Sequence, residues 1–142
     1  MELSLKKVFL LVAIFPTFAM AYPNGKVEES CSTMIPGHGL PAQTSIAPYS
    51  LTISSTNYTG MSAFIVTLNK EQDGKDFKGF MIQARAPNGG TSLGTFVVNS
   101  SDVQTLKCDS PASAVSHTSR DLKSSVQVIW LPPNTQYDIQ FR

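Results

Sequence analysis

The sequence predicts an all-β domain built as a two-sheet antiparallel sandwich. Period-two alternation of apolar and polar residues recurs along the chain, runs of turn-forming residues separate the alternating stretches, and no helical period of more than about one turn follows residue 21. Short strands broken at such spacing favour the immunoglobulin-like type, in which two sheets face each other across one core.

The strands can be justified in order. In 49–54, Tyr49, Leu51 and Ile53 alternate with Ser50, Thr52 and Ser54. The stretch 62–68 is apolar at both parities, which predicts a central strand. Next, Phe80, Ile82 and Ala84 alternate with Met81, Gln83 and Arg85, so the first set should face the core and the second solvent. The stretches 93–98 and 114–119 are less cleanly patterned. In 126–131, Val126, Val128 and Trp130 oppose Gln127, Ile129 and Leu131, which makes Trp130 a core residue rather than a binding aromatic. Phe77, Phe80 and Phe96 receive the same core reading. Tyr137, Ile139 and Phe141 close the series against Asp138, Gln140 and Arg142. Alternation then runs to the final residue, so the chain reads as a fragment whose last strand is truncated.

Breakers lie between these runs: Asn57 to Gly60, Asp73-Gly74, Pro87-Asn88-Gly89-Gly90, Asp109-Ser110-Pro111 and Pro132-Pro133-Asn134. Asp73-Gly74 is read as the tip of a solvated hairpin. Residues 22–48, rich in Gly, Pro and Ser, are expected to run as irregular chain pinned to the body by Cys31.

Residues 1–21 read as an export signal: Lys6 and Lys7 precede the apolar run 8–15, and Ala19-Met20-Ala21 supplies a small-residue cleavage box. The apolar run is too short for a bilayer, and nothing later approaches the roughly 20 apolar residues a membrane helix needs. The domain proper is therefore 22–142, outside the cell, with no membrane insertion by this segment. In an oxidising compartment the two cysteines, Cys31 and Cys108, are expected to form a disulfide, the alternative being two free thiols. A loop this long would contribute about 4 kcal/mol by the chain-entropy argument. Export also gives meaning to two glycosylation acceptors, Asn57 and Asn99, with the latter closing an apolar strand where access would be hindered.

The 142 residues carry 11 basic and 10 acidic side chains, and removal of Lys6, Lys7 and Glu2 with the signal leaves the two signs equal. The charges are scattered, so electrostatics give no argument for a nucleic-acid partner or an anionic membrane surface.

No catalytic constellation emerges. No helix-opening glycine fingerprint follows any strand, Gly89-Gly90 stands alone, and neither His38 nor His117 accompanies a nucleophile elbow, so no cofactor and no enzymatic activity are expected. Three carboxylates in 71–76 lack the ligand register of a calcium loop. One sharper idea concerns the histidines. His38 follows Cys31 and His117 follows Cys108 at short spacing, so a bridge would tether two imidazole-bearing loops to one point, as a shared metal or pH-sensitive site or simply as loop-supporting hydrogen bonds.

The series Cys31, Met34, Pro36 and His38, then Gln43 and Pro48, Phe77, Gly79 to Arg85, Gly94-Thr95-Phe96, Leu106 to Cys108, Ser116-His117-Thr118 and Trp130-Leu131-Pro132-Pro133 resembles a reeler domain. The resemblance runs in order from Tyr22 to the end. It implies an eight-stranded sandwich of the kind found in reelin, the spondins, small secreted arthropod defence proteins and ferric-chelate reductase 1-like membrane proteins. In the reductase-like relatives the redox parts lie outside this domain. Two function classes follow: a non-catalytic recognition module for a protein or glycan partner, as part of a reductase-like ectodomain, or a small innate-defence protein that engages a microbial surface ligand. A monomer is expected.

Overall fold

The structure, a computed structural model, describes residues 22–56, 62–134 and 138–142. A single 3-10 turn, Glu28–Ser30, precedes β1 (Tyr49–Ile53), β2 (Phe64–Lys70), β3 (Met81–Ala86), β4 (Gly89–Ser92), β5 (Thr95–Val97), β6 (Val103–Leu106), β7 (Ala114–His117), β8 (Ser125–Leu131) and β9 (Gln140–Phe141). These form two antiparallel sheets, one in the order β1-β2-β8-β5 and the other β4-β3-β7-β6 with β9 paired to β3. The all-β sandwich expected from alternation is what forms.

Between the sheets lie Phe64, Val66, Phe96, Val126, Val128 and Trp130 from the first and Ile82, Ala84, Val103 and Val115 from the second. Every one of them occupies the inward parity of its strand, which is why period two was so legible. Trp130 Nε1 donates to the Leu93 carbonyl at 3.0 Å, so its polar atom is satisfied inside the core. Phe141 stands edge-on to Trp130 with ring centroids 5.1 Å apart, and Ile139 also packs partly buried on the core, so these two take the inward side that alternation assigned them, although the strand itself is only Gln140–Phe141. Tyr137 lies outside the described residues, as do residues 1–21 and Asn57.

Several expectations are corrected. The strand read at 62–68 is central, with β1 and β8 on its two sides, but it is not buried on both faces: Ile65 is 46% exposed, in register with Ile129 on the open outer side of the sheet. Two strands escaped notice. Gly89-Gly90, read as part of a turn, opens β4, because the turn itself is only Pro87-Asn88 and the two glycines continue the chain at φ 91° and 97°. β6 follows a polar loop, and its two apolar residues, Val103 and Leu106, fall on opposite parities, so no alternation marks it. Asp73-Gly74 is not a hairpin tip, since β2 pairs with β1 and β8 while β3 belongs to the other sheet, so residues 71–80 cross between sheets. Gly74 fits there because its backbone passes close under Pro48; a Cβ would meet the Pro48 carbonyl oxygen at 2.6 Å. In the same crossing Asp76 is taken up by an ion pair with Lys70 at 2.5 Å.

The largest correction concerns β3. Gln83 and Arg85, assigned to solvent by alternation, are buried at 0% and 8% exposure. The outer face of this sheet is covered by the N-terminal segment, and the polar side chains on it are the means of attachment.

Candidate functional site

The site is built where the N-terminal segment meets the end of the second sheet. Cys31 and Cys108 are joined, S–S 2.00 Å, which ties the segment to the loop after β6. Two side chains of β3 then converge on one carbonyl: Gln83 Nε2 donates to Cys31 O at 3.0 Å, and Arg85 Nη2 donates to the same oxygen. Arg85 Nε donates to Gln83 Oε1 at 2.7 Å and Nη1 to Gly90 O at 3.0 Å. The guanidinium is thus buried among neutral acceptors that satisfy it by hydrogen bonding. A second pair of contacts holds the start of the segment: Ser116 Oγ donates to Gly25 O at 2.6 Å, and Gln104 Nε2 donates to Asn24 O. Gly25 adopts φ 67°, and a Cβ there would fall 1.8 Å from the His117 carbonyl oxygen, so only glycine permits this approach.

The loop carrying Cys108 is stiffened from below. Ser113 Oγ, fully buried, accepts from the backbone N–H groups of Cys108, Asp109 and Ser110 at 3.2, 3.3 and 3.3 Å. Asp109 accepts from the backbone N–H and the hydroxyl of Ser92 at 2.6 and 2.7 Å, and these bonds, with the nearby Arg85 charge, hold its carboxyl below the usual carboxylate range.

The segment and the sheet end enclose a groove of about 450 Å³, floored by Val27, Met34, Phe80 and Met81 and bordered by Tyr22, His38, Lys78, His117 and Arg120. His117 is buried; its Nδ1 lies 3.2 Å from the Phe80 N–H, from which it accepts, and 3.3 Å from the Phe80 carbonyl. Its ring ends an aromatic series running from Tyr49 through Phe77 and Phe80, with successive centroids 5.7, 6.1 and 6.1 Å apart. Gly79 allows this packing, since a Cβ would meet the imidazole at 2.9 Å. On the loop beneath, Lys123 is buried and donates to the carbonyls of Lys78, Ser119 and Asp121 at 3.4, 3.3 and 2.7 Å. Tyr22 donates its hydroxyl to Glu29 at 2.7 Å, and this bond raises the phenol above its ordinary value.

Both histidines singled out in the sequence therefore border one groove, but in different states: His117 is a buried hydrogen-bonded support, while His38 is exposed on the rim. Among the described residues no cluster of three or more histidine, cysteine or carboxylate side chains is placed to hold a metal ion. Asn99 is exposed in the loop after β5, not hindered as its place after an apolar strand suggested. No motif in the sequence marks Tyr22, Lys78, Arg120, Gln83 or Arg85 as site residues. Their polar character matched a solvated face, and only the docking of a distant segment gives them a role.

Comparison with known proteins yields a consistent set. A family model described as Reeler domain matches residues 29–142. The chain is 40% identical over 94% of its length to a putative ferric-chelate reductase 1 of Danio rerio, of which it spans 24%. It is 28% identical over 94% of its length to a putative defense protein, Hdd11, of Hyphantria cunea, covering 84% of that chain. The crystal structure of the Reelin-N domain of F-spondin shares the fold, with a TM-score of 0.53 at 20% identity over 67% of this chain and 70% of the other.

Proposed function

The chain belongs to the Reeler domain family, and from that premise we propose that it is an extracellular, non-catalytic recognition module forming the N-terminal ectodomain part of a ferric-chelate reductase 1-like protein. The observation that carries the reading is the 40% identity to the Danio rerio protein across nearly the whole chain, combined with a span of only 24% of that relative. The bridged cysteines suit an oxidising compartment. Gln83, Arg85, Gln104 and Ser116 hydrogen-bond the N-terminal segment, and the groove presents an apolar floor with a basic rim, a surface suited to binding. In this reading redox chemistry belongs to the remainder of the longer protein.

Long-read sequencing of the native transcript tests the assignment. The expected result is a reading frame that continues beyond Arg142 into membrane-spanning segments. A stop codon directly after Arg142 would overturn it in favour of a second reading, a small secreted defence protein engaging microbial surfaces. That second reading draws on the Hyphantria cunea relative, which this chain covers over 84% of its length.

A further inference from the structure

We propose that the groove between the N-terminal segment and the end of the second sheet binds a single long-chain carboxylate, acyl chain inward and headgroup at the rim. The proposal rests on the recognition reading and names the ligand class for it. Two observations point the same way.

The first is shape and lining. At about 450 Å³ the groove lies within the range of small-ligand sites, and its floor is formed by Val27, Met34, Phe80 and Met81, none of which offers a side-chain charge or strong hydrogen-bonding group. A fully hydrated polar ligand would gain little by entering it, whereas a methylene chain gains with each carbon removed from water.

The second is charge. Lys78 and Arg120 lie on the border, both exposed, and neither forms an ion pair with any described residue. Among the described residues no carboxylate lines the groove; Glu29, outside the lining, is occupied by the Tyr22 hydroxyl. Two cations with no ion pair among the described residues, flanking an apolar cleft, complement an amphiphile with an anionic head.

A concave cleft bounded by a tethered segment fits a free acyl anion rather than a bilayer, which would meet a flat or convex basic face. Titration calorimetry on the folded, disulfide-bonded chain with dodecanoate, kept below its micellar range, tests this. Chain-matched dodecanol and chainless acetate serve as controls. Dodecanoate is expected to bind tightest, dodecanol measurably and acetate not at all. The exposed double variant Lys78→Glu/Arg120→Glu should weaken dodecanoate roughly tenfold while leaving dodecanol unchanged. Absence of dodecanoate binding, or equal loss for both ligands in the double variant, overturns the proposal. Sedimentation of the chain with phosphatidylserine vesicles, abolished by the same double variant, would also overturn it by assigning the rim to a membrane. The ectodomain assignment fails separately, on the transcript result, so the two outcomes can be told apart.

Discussion

The side-chain amide of Gln83 donates to the main-chain carbonyl of Cys31 across 3.0 Å, joining the centre of a core strand to a segment that precedes the whole sandwich. The same amide lies 3.2 Å from Cys108 Sγ, so one fully buried glutamine touches both halves of the disulfide. Gln83→Leu should therefore remove more than one contact, since Arg85 Nε also loses its acceptor. A loss of about 1–3 kcal/mol is expected, the usual cost of leaving buried polar partners unmet. Urea denaturation of the oxidised protein measures it, and Ser50→Ala on the first sheet provides a reference with little effect.

Gly25→Ala should detach the start of the segment without unfolding the sandwich. The left-handed conformation alone costs alanine about 1–2 kcal/mol, and the Cβ would overlap the His117 carbonyl at 1.8 Å. Gly39→Ala is the matched control, because Gly39 also has positive φ, 69°, but nothing lies within 4 Å of its Cβ position. Limited proteolysis should cut the Gly25→Ala protein faster within the N-terminal segment and leave the Gly39→Ala protein like wild type there.

Asp109 gives the fold a predictable acid response. Its carboxyl is held low first by the backbone N–H of Ser92, then by the Ser92 hydroxyl, with Arg85 adding a smaller attraction. A folded value below the unfolded one means that the contribution is complete above the ordinary carboxylate range. It is lost as pH falls through about 4 toward the lower folded value. Asp109→Asn should be less stable than wild type at neutral pH, and the gap should narrow as the solution is acidified below that point. Denaturation midpoints measured across the acid range check this.

Asn99, exposed in the loop after β5, is expected to carry glycan when the chain is secreted from a eukaryotic host. Glycopeptide mass spectrometry reads its occupancy directly, and an unmodified Asn99 in exported protein would count against an open position for this loop.

How far the sequence could be read depended on where each strand's second face ends up. Where one face meets the core and the other meets water, as in β8 with Val126, Val128 and Trp130 inward, alternation told the whole story. In β3 the same alternation was correct about Ile82 and Ala84 and wrong about the environment of Gln83 and Arg85. A polar side chain that docks a distant backbone carbonyl has the same local pattern as one that meets solvent. The groove was half legible. Bridged cysteines predicted that His38 and His117 would share a neighbourhood, but Lys78, Arg120 and Tyr22 come from separate parts of the chain with no motif to join them. β4 was hidden by its glycines, which usually mark turns and here carry the chain onward at positive φ.

The central claim is that the N-terminal segment is a docked, disulfide-tethered wall of the groove and not part of the core. Hydrogen exchange on the wild type and on the Cys31→Ser/Cys108→Ser variant tests it most directly. The account predicts that the amides of Gly25, Val27, Ser30, Cys31 and Met34, which are hydrogen-bonded within the segment, lose protection in the variant, while those of β2 and β8 keep theirs. Uniform loss across the core strands, or unchanged protection in the segment, would contradict it.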